Sequence, residues 1–324
     1  MLRTKPLVAY YFLTYKCNDT CEFCKIWQDA DLQKTEDPST DAIKTNLSEL
    51  KELGSAYLDL TGGEPLLRDD LPEILSFAKE KGFLTTLTTN CILYPEKAKE
   101  ITEHIDRLVF SLDSPVPEEH DRIRGTACFD SFLESVKVAK SLGKLPIVNF
   151  TATRDSVRFL PEMSDFLSEL KIPLWINPVY DYEGLEGFEP ETIEHIKYYS
   201  RNKYMSFNLA ALEFIKAHGN KISNPRCRAS ETTITISPDN CLLLPCSKTG
   251  SGKIRIEGSI RETLKKNDHI LQQQGRMNIC NSCTAWPYML PSFLKKKDKY
   301  FFLNLWSLSK MFWKEYNLKK GAKQ

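Results

Sequence analysis

The sequence predicts an α/β fold built on a parallel sheet, and three observations predict it. Apolar runs of strand length alternate about six times with runs of helical period in the first half of the chain. Gly54, Gly82 and Gly143 each follow a helical run, where a left-handed residue is favoured. The repeating order of strand and helix is the one that packs as parallel strands with right-handed crossovers.

Taken in order, strands are expected at Leu7–Leu13, Ala56–Leu60, Leu84–Thr89, Arg107–Leu112, Ile147–Thr153 and Leu174–Asn177. Helices fall between them, at Ser39–Leu53, Leu71–Lys81, Pro95–Glu103, Phe129–Leu142 and Phe159–Leu170. This pattern alone fits a doubly wound sheet or a barrel. From Tyr180 to about Asn224, with Gly184 and Gly187 as loop punctuation, the chain is expected to leave that unit. Beyond it, Thr232–Ile236 and Cys241–Leu244 read as a hairpin around Ser237-Pro238-Asp239-Asn240, followed by a helical Ile260–Lys266.

A length of 324 residues suits one large domain and a smaller one, and 41% hydrophobic with 27% charged residues is ordinary for a globular protein. A net charge of +1 gives no case for nucleic acid. No stretch reaches the ~18 apolar residues of a membrane span. Leu7–Leu13 is too short for a signal peptide and lacks a small-residue cleavage site, so a cytoplasmic protein with reduced thiols is expected.

The chemistry begins after the first strand. Cys17, Cys21 and Cys24 form a C-x3-C-x2-C loop, three thiols with no evident fourth. Cuboidal clusters usually take four cysteines, so three leave one iron open. Zinc would need a fourth ligand, and the nearest histidine, His104, is distant. The second strand runs into Thr61-Gly62-Gly63-Glu64-Pro65, where two glycines would let a ligand approach the backbone. Glu64 could accept from an ammonium group, and Pro65 stiffens the exit.

With these two motifs in this order, the chain resembles the radical S-adenosylmethionine (radical SAM) superfamily. The resemblance implies a partial (β/α)6 barrel with its chemistry at the C-terminal strand ends. It implies a [4Fe–4S] cluster on Cys17, Cys21 and Cys24 whose open iron chelates S-adenosylmethionine. Gly62, Gly63, Glu64 and Pro65 would meet the amino group of that cofactor. Phe23 occupies the bulky position near the adenine. Thr88 and Asn90 close the third strand, where Cys91 replaces the glycine of the usual Asn-Gly pair. Ser111 and Asp113 match the strand that touches ribose and carboxylate, and Asp121-Arg122-Ile123-Arg124-Gly125 follows in a similar pattern. Asn149 and Val179 complete the implied cofactor contacts. Arg154, Tyr180, Asp181 and Tyr182 are candidates for the substrate cavity.

A second cysteine group follows: Cys227, Cys241, Cys246, Cys280 and Cys283. Four such thiols with a terminal C-x2-C fit structural zinc or a cluster equally well. Their order around the hairpin is similar to the Twitch/SPASM-like auxiliary domains of the superfamily. That implies a small α+β cysteine-rich domain with a second, auxiliary [4Fe–4S] cluster on Cys227, Cys246, Cys280 and Cys283. Cys246 is preferred to Cys241 because the relatives carry this ligand in a Pro-Cys pair. The domains expected are 1–205 for the core, 206–290 for the auxiliary unit and 291–324 for a basic tail.

From Leu290 onward nine lysines face two acids, a local net of +7, with aromatics near helical spacing. Two readings fit: a helix docked with its aromatics buried and its lysines solvated, or an interfacial membrane segment.

The activity implied is reductive cleavage of S-adenosylmethionine to a 5′-deoxyadenosyl radical, driven by an external one-electron donor of flavodoxin or ferredoxin type. Hydrogen abstraction from a small-molecule or lipid-like substrate would lead to oxidation or rearrangement. A fully ligated auxiliary cluster would serve as electron conduit. The alternatives are a maturase acting on a ribosomal peptide, against which stands the short run before the first strand, and a non-catalytic zinc-stabilised scaffold. No acid–base catalytic residue is singled out.

Overall fold

The computed structural model describes residues 5–179, 190–248 and 252–321. Six parallel strands, β1 (Val8–Thr14), β2 (Tyr57–Gly62), β3 (Leu84–Thr89), β4 (Arg107–Ser111), β5 (Ile147–Ala152) and β6 (Leu174–Pro178), pair each with the next. Helices Thr40–Leu53, Leu71–Glu80, Tyr94–Ile101, Phe129–Ser141 and Leu160–Leu170 connect them. This is the partial barrel expected, with strand ends displaced by only a residue or two.

The local reasons are the ordinary ones. Ser39 Oγ accepts from Ala42 N at 3.2 Å and starts the Thr40–Leu53 helix. Ile43, Leu47, Leu50 and Leu53 then fall on one buried face, and Gly54 ends the helix at φ +103°. One further helix, Pro117–Arg124, was not set out from sequence. Its buried residues are His120, Ile123 and Arg124, so it carries no apolar stripe to betray it.

The sheet continues on both edges. β7 (Met205–Ser206) lies beside β6. On the other edge β8 (Thr233–Ser237) pairs in parallel with β1, from Val8↔Thr233 to Tyr11↔Ile236. β9 (Cys241–Leu243) and β10 (Lys253–Arg255) follow antiparallel. The expected hairpin therefore exists, and it extends the barrel sheet. Asn240 turns it at φ +58°, and its side chain accepts from Asn46 Nδ2 at 2.7 Å.

The tail forms a helix, Lys299–Gly321, packed along the Leu209–Lys216 helix. Docking was one of the two readings, but the faces are reversed from it. Asn304, Ser307, Lys314, Glu315 and Leu318 are buried, while most of the aromatic rings are exposed. Partners explain this. Lys314 Nζ donates to the carbonyls of Ser200, Asn202 and Met205 at 3.0, 2.6 and 2.6 Å. Glu315 accepts from Arg107 at 2.8 Å and from Trp175 Nε1 at 3.0 Å. Buried charges persist where such partners satisfy them.

Candidate functional site

The C-terminal strand ends form a rim, and the first cysteine loop lies across it. Gly63 N donates to Thr14 O at 2.7 Å and Glu64 N to Lys16 O at 2.9 Å, joining the end of β2 to the chain leaving β1. A Cβ on Gly62 would stand 2.2 Å from Thr14 O, and one on Gly63 2.0 Å from Lys16 O. On the Cβ side of each glycine the space is taken by the backbone leading into the cysteine loop. The glycines are needed for that approach.

Glu64 is buried and acts as a strap. Its carboxylate accepts from Leu66 N at 3.0 Å, Thr89 Oγ1 at 2.9 Å and Asn90 N at 2.9 Å. Burial pushes its pKa up to about 7 against these hydrogen bonds. The oxygens expected to meet an ammonium group are already engaged with β3. Asn90 in turn donates from Nδ2 to Asn18 Oδ1 at 2.7 Å, tying β3 to the cysteine loop. Cys91, in the glycine's place, still adopts φ +78° while fully buried. Thr88 lies half-buried beside this turn.

On the next strand Ser111 pairs in register with Asn149 of β5. Asn149 Oδ1 also accepts from Asn177 Nδ2, and Val179 N donates to Ala152 O at 2.9 Å, bringing the end of β6 to the rim. Asp113 is fully buried, accepts from Thr151 N at 3.0 Å, and faces Arg124 Nη2 at 2.7 Å. Arg124 Nη1 stands 3.6 Å from Cys21 Sγ and 3.9 Å from Asp19 Oδ2. The guanidinium also lies 5.7 Å from the Phe23 ring.

Backbone bonds from Thr20 N to Arg124 O and from Glu22 N to Ile123 O, both 3.0 Å, run the cysteine loop alongside residues 123–125. Arg124 is the rim residue that sequence reasoning did not single out. Its signal was a cation in a quoted motif, on the buried side of a helix almost without apolar residues.

Burial pushes the Cys17 thiol up to about 12 and the Cys21 thiol to about 11. Even with the Arg124 cation drawing Cys21 downward, these sulfurs hold their protons; bound iron would favour thiolate. Three thiols on one loop beside a buried cation fit a cluster with an open corner. Arg154 is exposed at the end of β5, and Tyr180, Asp181 and Tyr182 lie outside the described residues.

One metal-like group nearby is not open to a cation. His120, Asp121 and Cys128 place ligand atoms within 4.8 Å of one another. Yet His120 Nδ1 accepts from Asp113 N at 3.2 Å, so its proton sits on Nε2, facing Cys128 Sγ at 3.4 Å. Asp121 Oδ1 is spent on Cys128 N and Phe129 N, both at 2.9 Å.

The second group converges. Cys227, Cys246, Cys280 and Cys283 line one cavity. Cys241 does not line it; its Sγ lies 3.6 Å from Asp239 O. Buried Asn220 holds the cavity's walls together. Its Oδ1 accepts from Arg226 N at 2.9 Å and Cys227 N at 3.1 Å. Its Nδ2 donates to Gly275 O at 2.9 Å and Cys280 O at 3.0 Å. Its backbone N donates to Cys283 O at 3.0 Å. Gly275, at φ +71°, has room for no Cβ, which would lie 3.0 Å from Cys227 Cβ. Four thiols on one cavity wall match a closed four-ligand site in number and chemistry.

The description of the Radical SAM superfamily matches residues 11–153. The Fe-coproporphyrin III synthase of Methanosarcina barkeri is 34% identical over 172 residues, 52% of this chain and 42% of that one. The present chain therefore spans less than half the length of that relative. A probable GTP 3′,8-cyclase of Sulfolobus acidocaldarius is 30% identical over 250 residues, covering 71% of this chain and 79% of that one. Among solved structures, Streptococcus suis SuiB bound to its precursor peptide SuiA is similar with a TM-score of 0.65 and 19% identity, covering 93% of this chain and 76% of that one. At that identity the likeness concerns the fold.

Proposed function

Since the chain belongs to the radical SAM superfamily, we propose that it takes an electron from an external flavodoxin- or ferredoxin-type carrier and oxidises or rearranges a small-molecule or lipid-like substrate. When bound, the first cluster and S-adenosylmethionine supply a 5′-deoxyadenosyl radical, and a closed auxiliary cluster supplies an outlet for one electron. The chain's own part is to hold and orient. Cys17, Cys21 and Cys24 are the ligands of the first cluster in this reading. The rim residues Phe23, Gly62–Pro65, Thr88, Asn90, Ser111, Asp113, Asn149 and Val179 form the cofactor's bed. A dry, prearranged bed protects a reactive species from water.

The observation that carries the oxidative reading is the second cavity with four cysteines on its wall. A site closed by four thiols has no iron left for substrate, which favours electron transfer over substrate binding. A cytoplasmic setting agrees with thiols kept reduced. The second reading is modification of a ribosomal peptide, prompted by the fold shared with a protein solved on its precursor peptide.

The test is iron, acid-labile sulfide and zinc per chain after anaerobic reconstitution. About eight irons and eight sulfides with little zinc is the expected result. About four irons with one zinc would remove the electron outlet and leave a structural second site. Failure to form 5′-deoxyadenosine under strong reduction would sink the enzymatic reading itself.

A further inference from the structure

The terminal helix Lys299–Gly321 presents apolar rings to the outside and polar groups to the protein. Phe302, Trp306, Phe312, Trp313 and Tyr316 are 63, 53, 51, 66 and 65% exposed. Their spacing of four, six, one and three residues keeps them on one stripe of the helix. The opposite face is occupied by the Asn304, Ser307, Lys314 and Glu315 contacts, so the rings cannot turn inward without breaking buried hydrogen bonds.

Charge follows the same division. Residues 290–324 carry a net of +7, which against a total of +1 leaves −6 on residues 1–289. Both acids of the tail are already paired, Asp298 with Arg226 at 2.5 Å and Glu315 with Arg107 at 2.8 Å. Lys295, Lys296, Lys297, Lys319 and Lys320 are exposed around the stripe. Beside Trp306 opens a solvent-exposed hollow whose wall includes Arg201, Lys310, Ser206, Ser307 and Lys197, the last paired with Glu194 at 3.3 Å. Among the described residues no helix is long and apolar enough to cross a membrane.

We propose that this outward stripe is a docking surface for an anionic lipid bilayer. The rings seat at headgroup level, the lysines meet the lipid phosphates, and the basic hollow beside Trp306 takes one phosphate headgroup. Charge complementarity favours this occupant over a symmetric pairing of two stripes, in which a second copy would bring an equal cluster of lysines against the first. The inference does not depend on the substrate of the barrel.

The experiment is co-sedimentation of the reconstituted full chain with vesicles of phosphatidylcholine and phosphatidylglycerol in equal parts, compared with phosphatidylcholine alone. Binding to the mixed vesicles is expected, at least about tenfold tighter than to the neutral ones and weakened by salt. The Trp306→Gln/Trp313→Gln pair and the Lys319→Glu/Lys320→Glu pair should each weaken it by about tenfold or more, with circular dichroism unchanged. Absence of binding to mixed vesicles, or binding indifferent to the tryptophan pair, would overturn the proposal. So would a concentration-dependent dimer that the tryptophan pair dissolves, which would assign the stripe to a second copy.

Discussion

The two cysteine sites are built in opposite ways. The first strings its three thiols along one short loop and borrows everything else from remote strand ends: Gly63 from β2, Asn90 from β3, Asp113 and Arg124 from β4 and beyond. The second gathers four thiols from three segments, two of which, bearing Cys227, Cys280 and Cys283, are tied together by the bonds of one buried asparagine. An open-cornered site needs surroundings that can accept a ligand, so its polar contacts lie around the cluster loop. A closed site needs only its ligands held, and one clamp ties two of its three segments. The first group of thiols is a local sequence motif, and the second comes together only in the fold.

Breaking one site at a time gives the largest effects. Cys24→Ala should halve the iron per chain after reconstitution and abolish 5′-deoxyadenosine formation. Cys280→Ala should lose a similar amount of iron while cleavage of S-adenosylmethionine persists. Loss of cleavage in both variants would show that the sites are not independent.

Arg124→Met comes next. It leaves Asp113 buried without its cation, a change of about 3–5 kcal/mol in stability. Removing a positive charge beside Cys21 also disfavours the reduced cluster, so the first site's midpoint potential should fall in an EPR titration. The second site's potential should stay where it was. Equal shifts at both sites would instead mean general loosening of the fold.

Asn220→Ala is expected to cost roughly 1–3 kcal/mol for the orphaned groups and to release iron from the second site only. Asn220→Asp keeps the acceptor but turns a carboxylate oxygen onto the Gly275 and Cys280 carbonyls, and should release at least as much iron as Asn220→Ala. Iron retention on a desalting column separates these cases.

The pH dependence sharpens the contrast from the barrel side. Burial, with Arg124 nearby, lowers the His120 pKa from 6.5 to about 3, so the unfolded chain takes up a proton that the folded chain refuses. The His120 contribution to stability should be fully present above pH 6.5 and fall by about 1.4 kcal/mol per pH unit below it, until about pH 3, opposed between pH 7 and pH 4.5 by Glu64, whose raised pKa makes the folded chain the better proton acceptor there. His120→Gln should flatten that slope in denaturant titrations. Smallest of all, Cys241→Ser should leave the iron content unchanged; a loss of about four irons would move the fourth ligand from Cys246 to Cys241.

Much of this was legible in the chain. The six barrel strands are apolar runs bounded by polar turns, and strand ends such as Thr89 fall where the runs stop. The first cysteine loop is a local motif, readable without any fold. Arg124 and Asn220 were hidden for a different reason. Arg124 meets Cys21 across 103 residues, and Asn220 meets Cys280 across 60, so nothing in their neighbourhood announces a partner. The reversed tail helix failed the usual rule because the carbonyls satisfied by Lys314 belong to residues 200–205, over a hundred positions away.

The pairing of β8 with β1 has a mechanical consequence. Cys17 follows the C-terminal end of β1, whereas Cys227 precedes the start of β8, a strand running the same way alongside it. The shared strand direction works as a ruler of seven residues, on the order of 20 Å at about 3.3 Å per residue. Lengthening the loops between residue 216 and residue 227 would leave that ruler untouched. Slipping β8 by one position along β1 would move the second site by a full graduation and turn every β8 side chain to the other face. Any electron passing between the two sites would cross a gap gauged by hydrogen-bond register, indifferent to the two hundred residues threaded between them.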